Sequence, residues 1–341
     1  MNSPRPRWSL IVALALAALL LYLAVRGLNW RELWQTIRTA RFGYLVPALL
    51  IGQMSFVLRA LRWRVLLSAE KDVSLLTVFW AMMAGYLGNN FLPARAGEVI
   101  RSVALGRKAG MSKSWVFATA LTERLLDAVA LVLFSLAAVF SLGRSSQWLI
   151  KAWKVMGIAG VAGIIILFAV PRFEDRFRRL LERLPGPARL RERMLGILVQ
   201  FLSGMRAFAN PSRGLAFAGL TILVWLADTV GTMIGAHAFG LSLTLPTAVM
   251  FLAGLGLSSA VPSTPGYVGV YQFVAVAVLV PLGYARSGAL AYVTVSQGLG
   301  YVAFTVWGLL GLWQLQVRPQ AVLQAELQGQ EPGPIGGREE K

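Results

Sequence analysis

Cysteine is absent from this chain of 341 residues, and histidine occurs once, at His237. Disulfides and thiolate metal sites are therefore excluded, and a histidine-built metal centre has too few ligands. No cofactor is expected. Charge is scarce too: 14% of residues are charged, against about a quarter in a soluble domain. Acids are scarcest, with 15 Asp and Glu against 33 Lys and Arg, a net charge of +18. Such an excess raises nucleic acid as a partner. The basic residues lie in short loops between apolar blocks, where a membrane protein keeps them, so nucleic acid is rejected.

What is abundant is apolar: 57% of the residues, with a mean hydropathy of +0.63. Runs that cross or nearly cross a bilayer are Leu10–Val25, Phe42–Leu58, Val73–Leu92, Trp115–Leu142, Trp153–Val170, Leu215–Phe239, Pro246–Val261, Tyr267–Leu282 and Ala289–Leu315. A full span needs about 20 apolar residues. The third, seventh and eighth runs are short or interrupted. The first run is long for a signal peptide and reads as a retained helix. Residues 26–41 place Trp30, Leu33, Trp34 and Ile37 at helical spacing with Arg on other faces, as in an interfacial helix. Residues 171–195 hold eight Arg against four acids and mark the cytoplasmic side. The tail, 318–341, is polar, rich in Gln, Gly and Pro, and expected to be disordered and cytoplasmic.

Parity then shapes the topology. With 171–195 inside, residues 106–114, which carry Arg107, Lys108 and Lys113, are also inside. So is 59–72, with four basic residues. The run between them must enter and return, turning near Asn89–Gly97. Residues 258–272, "SSAVPSTPGYVGVYQ", repeat the broken pattern in the second half. The predicted fold is an all-α polytopic bundle. It has about six full spans plus two re-entrant helical hairpins, in inverted halves at about 9–142 and 153–315, with one transmembrane domain over 1–317. Both termini fall in the cytoplasm, and the cell membrane is the expected location. The four Arg of 26–41 then face outside, against the charge rule.

Within the first break, "GNNFLPARAGEVIRS" at 88–102 puts Arg95, Glu98 and Arg101 three apart, one stripe on a helix. A charge at mid-bilayer costs about 2.5–3.5 kcal/mol on insertion scales, so it persists when paired or functional. One reading has Arg95 and Arg101 holding a lipid phosphate, with Glu98 orienting one of them, because the guanidinium fork donates to two oxygens. The other is an ordinary interfacial loop facing headgroups. Glu123, Arg124 and Asp127 on the following span read either as an ion cluster locking that span to the hairpin or as a proton or gating switch. Asp228 lies deep in a span, as a functional acid or as a hydrogen-bond partner of Gln297 or Thr294. Arg59, Arg62, Trp63 and Arg64 read mainly as topology anchors, with Trp63 in the aromatic belt.

The combination of Asn90, Pro93, Arg95, Gly97, Glu98 and Arg101 with Glu123, Arg124, Asp127 and "PSTPGYVGVYQ" resembles the transmembrane, flippase-like region of lysylphosphatidylglycerol synthases, over residues of about 10–317. The resemblance implies an integral membrane protein that moves or handles lipids or lipid-linked intermediates. The aminoacyl-transfer domain of the full synthases has no counterpart here, so no aminoacylated lipid is expected as product. The family's second hairpin usually carries a Glu shortly after Pro-Gly, where this chain has Gln272, and the expectation of a proton role there lapses. The candidate substrate-binding residues are Asn90, Arg95, Glu98, Arg101, Glu123, Arg124, Asp127, Asp228 and Gln272. The predicted function is a lipid flippase or translocase for anionic phospholipids or lipid-linked intermediates, with membrane lipids as partners. No catalytic motif is present. The rival readings are an integral-membrane enzyme acting on lipid-linked sugars or phosphates, and a non-transporting partner of a separate lipid-modifying enzyme.

Overall fold

The computed structural model describes residues 8–92, 96–141, 158, 176, 179, 188–259 and 265–316. They form eleven α-helices and no strand. In chain order these are α1 (Trp8–Val25), α2 (Trp30–Arg38), α3 (Leu45–Leu67), α4 (Leu75–Phe91), α5 (Gly97–Ala109), α6 (Lys113–Ser141), α7 (Ala188–Met205), α8 (Pro211–His237), α9 (Leu245–Ser258), α10 (Val270–Leu279) and α11 (Arg286–Gln314). Among the described residues, four helices are long and apolar enough to cross a membrane: Phe42–Leu67, Lys113–Ser141, Pro211–His237 and Arg286–Gln314. Of the two further spans in the predicted six, α1 is an apolar helix of 18 residues, and Trp153–Val170 lies outside the described residues. The tail at 318–341, most of the 171–195 loop and Arg95 lie outside them as well.

At both predicted hairpins the entering and return helices pack on each other, α4 on α5 and α9 on α10, while the turns at 93–95 and 260–264 lie outside the described residues. At 1.5 Å per residue, the 13 residues of α5 reach about 20 Å and the 14 of α9 about 21 Å, well short of a hydrocarbon core of about 30 Å. Their ends meet. The Lys71 ammonium, just before α4, donates to the Ala109 carbonyl at the end of α5, at 2.6 Å. Beyond the second hairpin the Tyr284 hydroxyl reaches back to the Ser242 carbonyl, 3.3 Å away. Since the chain has no cysteine, this is directly testable. Single cysteines at exposed Asp72 and Lys108 should be labelled by an impermeant maleimide from the same face of a sealed vesicle. Labelling from opposite faces would make 73–107 a through-going span.

Each entering helix starts on a hydroxyl cap: Ser74 accepts from the Thr77 N–H in α4, and Thr244 from the Thr247 N–H in α9. Each return helix starts on a glycine whose N–H is taken by an amide side chain. Asn89 accepts from Gly97 at 3.0 Å, and Gln272 from Gly269 at 2.8 Å. Gly97 is pressed onto the entering arm, where an added Cβ would overlap the Gly85 carbonyl and the Asn89 amide. Gly97→Ala should therefore lower stability by about 1–3 kcal/mol, as overpacking does. A thermal melt of the purified protein checks this.

The contacts among helices repeat when the halves are exchanged. Helix α3 packs along α8, its counterpart. The first hairpin's α4 packs on α11, and the second's α9 on α6, so each hairpin leans on the last span of the other half. The return helices α5 and α10 pack on α6 and α11 of their own halves. Even the leading helices match: α2 lies on α11 and α7 on α6. Helix α2 has the interfacial form, with Trp30 and Trp34 exposed while Leu33 and Ile37 pack inward.

Candidate functional site

Helix α3 does not stop where the apolar run does. It continues through Arg59, Arg62 and Trp63 to Leu67, and these residues, with Leu66, fall on one helical stripe. That stripe faces α5, α6 and α8. Arg62 is fully buried. Its fork donates to Asp127 Oδ1 at 2.6 Å and Oδ2 at 2.8 Å, and to Glu123 Oε1 at 2.8 Å. A further contact reaches the Thr221 hydroxyl.

From Arg62 the ion pairs close a ring. Glu123 pairs with Arg101 at 3.0 Å, Arg101 with Glu98 at 2.5 Å, Glu98 with Arg124 at 3.0 Å, Arg124 with Asp127 at 3.8 Å, and Asp127 with Arg62. Three guanidinium groups alternate with three carboxylates, and the ring is neutral. Lone ions at this depth each pay several kcal/mol in desolvation, and alternation offsets much of that. Aromatic faces complete the packing. The Arg101 guanidinium lies 4.5 Å from the Trp63 ring centroid and that of Arg62 lies 5.1 Å from Phe217.

One arc of the ring opens onto a cavity of about 230 Å³ between the two hairpins. Glu98, Arg124 and Asp127 line it, with Arg59, Trp225 and Tyr271 among the other walls. Arg59 pairs with Asp228 across the α3–α8 contact at 2.5 Å and stacks 5.2 Å from the Trp225 ring centroid. Among the buried polar atoms without a hydrogen-bond partner in the described residues are the Asn90 amide nitrogen and the Trp225 indole N–H, both donors, and Glu98 Oε2, which keeps its ion pair with Arg101. All three residues line this cavity. A buried donor left unpaired is costly, and donors of this kind at a cavity wall suit an incoming acceptor.

Of the residues named from the sequence, Asn90, Glu98, Arg124 and Asp127 line this cavity together. Arg101 and Glu123 are buried behind it, each about 1% exposed, with their charged groups engaged in the ring. Asp228 does not line it but a separate cavity of about 350 Å³, and its partner is Arg59, not Gln297 or Thr294. Gln272 belongs elsewhere: its amide donates to Gln297 at 2.8 Å, and Gln297 donates to the Gly266 carbonyl at 2.7 Å. Arg62 and Trp63 are not surface anchors, since both are fully buried. The apolar run ends at Leu58, before the first charge of this stripe. The spacing of 59, 62, 63, 66 and 67, at intervals of three, one, three and one, was the signal that could have found them.

The chain matches the family described as the lysylphosphatidylglycerol synthase TM region over residues 10–308. Among similar curated proteins is a UPF0104 membrane protein of Methanothermobacter thermautotrophicus, 22% identical, with 92% of this chain and 94% of that protein covered. A UPF0104 membrane protein of Pyrococcus horikoshii is 25% identical, over 89% of this chain and 94% of that one. Glycosyltransferase AglD of Haloferax volcanii is 24% identical over 91% of this chain, which spans 55% of AglD.

Proposed function

From the premise that this chain belongs to the lysylphosphatidylglycerol synthase TM family of multi-pass membrane proteins, we propose that it is a lipid translocase whose cargo carries a phosphate. The observation behind this reading is the convergence of Arg59, Arg124 and the two unpartnered donors of Asn90 and Trp225 on one cavity. A phosphate diester offers acceptor oxygens and a single negative charge. Arg124 is the ring member best suited to receive it. Its side chain is 24% exposed, and its link to Asp127, at 3.8 Å, is the longest in the ring. Arg101, named from the sequence for this role, instead braces the site. Broken helices in corresponding places of two related halves are where secondary transporters put their cargo, and rocking of the halves would exchange the sides. The termini face the cytoplasm in this reading.

AglD, a relative named as a glycosyltransferase, favours the second reading, an enzyme acting on a lipid-linked substrate. Glu98, Glu123 and Asp127 are each held by two arginines, which suits a scaffold better than a general base. Purified protein in vesicles with a labelled anionic phospholipid separates the two. Exchange between leaflets with unaltered lipid is the expected result. A chemically altered lipid would establish the enzyme, and neither outcome leaves the non-transporting partner.

A further inference from the structure

A second cavity, of about 240 Å³, adjoins the first. Asn90, Tyr267, Tyr271 and Phe304 line both. The chemistry changes across that shared wall. No charged residue lines the second chamber among the described residues, whereas Tyr292, Ser296, Gln297 and Tyr301 do. Tyr267 and Tyr271 stack nearly parallel, with ring centroids 5.2 Å apart at 9°. Tyr267 holds a left-handed backbone, φ 63°, just after the Pro265–Gly266 break. A bulky residue adopts that conformation only when its surroundings impose it, and such strain clusters at ligand clamps.

The contrast follows the repeat. In the first half, Glu98 on the return helix bonds Arg124 on the last span. In the second half, Gln272 on the return helix bonds Gln297 on the last span. The same joint is ionic in one half and an amide pair in the other. Each joint borders its own chamber, through Arg124 in the first and Gln297 in the second.

We infer that the two chambers form one bipartite site, in which the second takes an uncharged, hydroxyl-bearing group (a polyol or a sugar) attached to the phosphate held in the first. The inference rests on the phosphate reading above and names its substrate class. Stacked tyrosine rings offer flat apolar faces to C–H groups, while phenol, hydroxyl and amide groups exchange hydrogen bonds with substrate hydroxyls. An ammonium-bearing headgroup is disfavoured. The carboxylates at the charged chamber, Glu98 and Asp127, are already neutralised by arginine, and the other chamber has none.

The test is a titration of the full-length purified protein, read by tryptophan fluorescence, with inorganic phosphate, glycerol phosphate and phosphoethanolamine. Glycerol phosphate should bind about tenfold more tightly than inorganic phosphate, the effect of one or two added hydrogen bonds. Tyr301→Phe, which removes one hydroxyl, and Tyr271→Leu, which removes the platform, should each shrink that ratio towards one. Equal binding of phosphate and glycerol phosphate by the unaltered protein overturns the inference and leaves the phosphate reading intact. Tighter binding of phosphoethanolamine overturns it too. If no phosphate compound binds and no anionic lipid exchanges, the phosphate reading itself falls. A vesicle arm separates the sources. Faster exchange of phosphatidylglycerol than of phosphatidylethanolamine supports a lipid cargo. Tight glycerol phosphate binding without lipid exchange supports the bipartite site and overturns its lipid source.

Discussion

Arg62→Met should destabilise the protein by about 3–5 kcal/mol, the range for stripping one partner from a buried ion network. Methionine keeps the apolar stem of the side chain as far as the position of Nε, so the loss is chiefly that of the guanidinium. Arg62 makes both of its carboxylate pairings inside the protein, with three hydrogen bonds of 2.6–2.8 Å. Without it, Glu123 keeps Arg101 at 3.0 Å, and Asp127 keeps only the 3.8 Å contact with Arg124. Asp127 becomes a buried, nearly uncompensated anion. The double variant Arg62→Met/Asp127→Leu removes the orphan with its cause and should recover much of the loss, because an absent pair is cheaper than a broken one. The melting temperature of detergent-solubilised protein, followed by tryptophan fluorescence, reads both. A single variant that melts like the unaltered protein, or a double variant no better than the single, would show that the ring does not hold the bundle together.

The sequence exposed the first hairpin because its flanks are charged and its middle is broken, and the second through its Pro and Gly break alone. Lys71 and Lys108 mark the two ends of the first hairpin as like-charged, and Asn89 and Gly97, which mark the turn, prove to be hydrogen-bonded to each other. It also exposed the acidic half of the ring, because Glu123 and Asp127 stand out in an apolar helix. The basic half was harder. Arg62 sits among other arginines after an apolar run, where a topology signal and a buried strut have the same local composition. Only the register of α3 against α6 tells them apart, and that register comes from packing far along the chain. Gln272 and Asp228 show the same limit. Both stand out in the sequence, but Gln297, one of two alternative partners for Asp228, belongs to Gln272, and Asp228 takes Arg59. Pairing between halves depends on which spans are neighbours, and a run of apolar residues carries no such information. The kinship of the halves was faintly written, in the Ser74–Thr77 and Thr244–Thr247 caps at the mouths of the two hairpins.

Arg124→Gln should separate function from stability where Arg62→Met cannot. Arg124 is a quarter exposed and reaches the ring through a 3.0 Å bond to Glu98 and a 3.8 Å contact to Asp127. Its removal leaves Glu98 paired with Arg101. Solvent screening holds the stability cost to about 1 kcal/mol or less, as for a partly exposed pair. The effect on lipid exchange should be far larger. A hydrogen bond to a charged group contributes about 1.5–3 kcal/mol, so losing the one to phosphate should slow exchange by about 10- to 100-fold. Arg124→Lys should fall between, since an ammonium supplies the charge but not the two-pronged geometry. Exchange of labelled phosphatidylglycerol in vesicles, normalised to folded protein, is the measurement. If Arg124→Gln exchanges lipid at the unaltered rate while melting normally, Arg124 is a brace like Arg101. The phosphate would then face one guanidinium, Arg59, already paired with Asp228, beside the neutral donors of Asn90 and Trp225, and the reading would lose the charge it depends on.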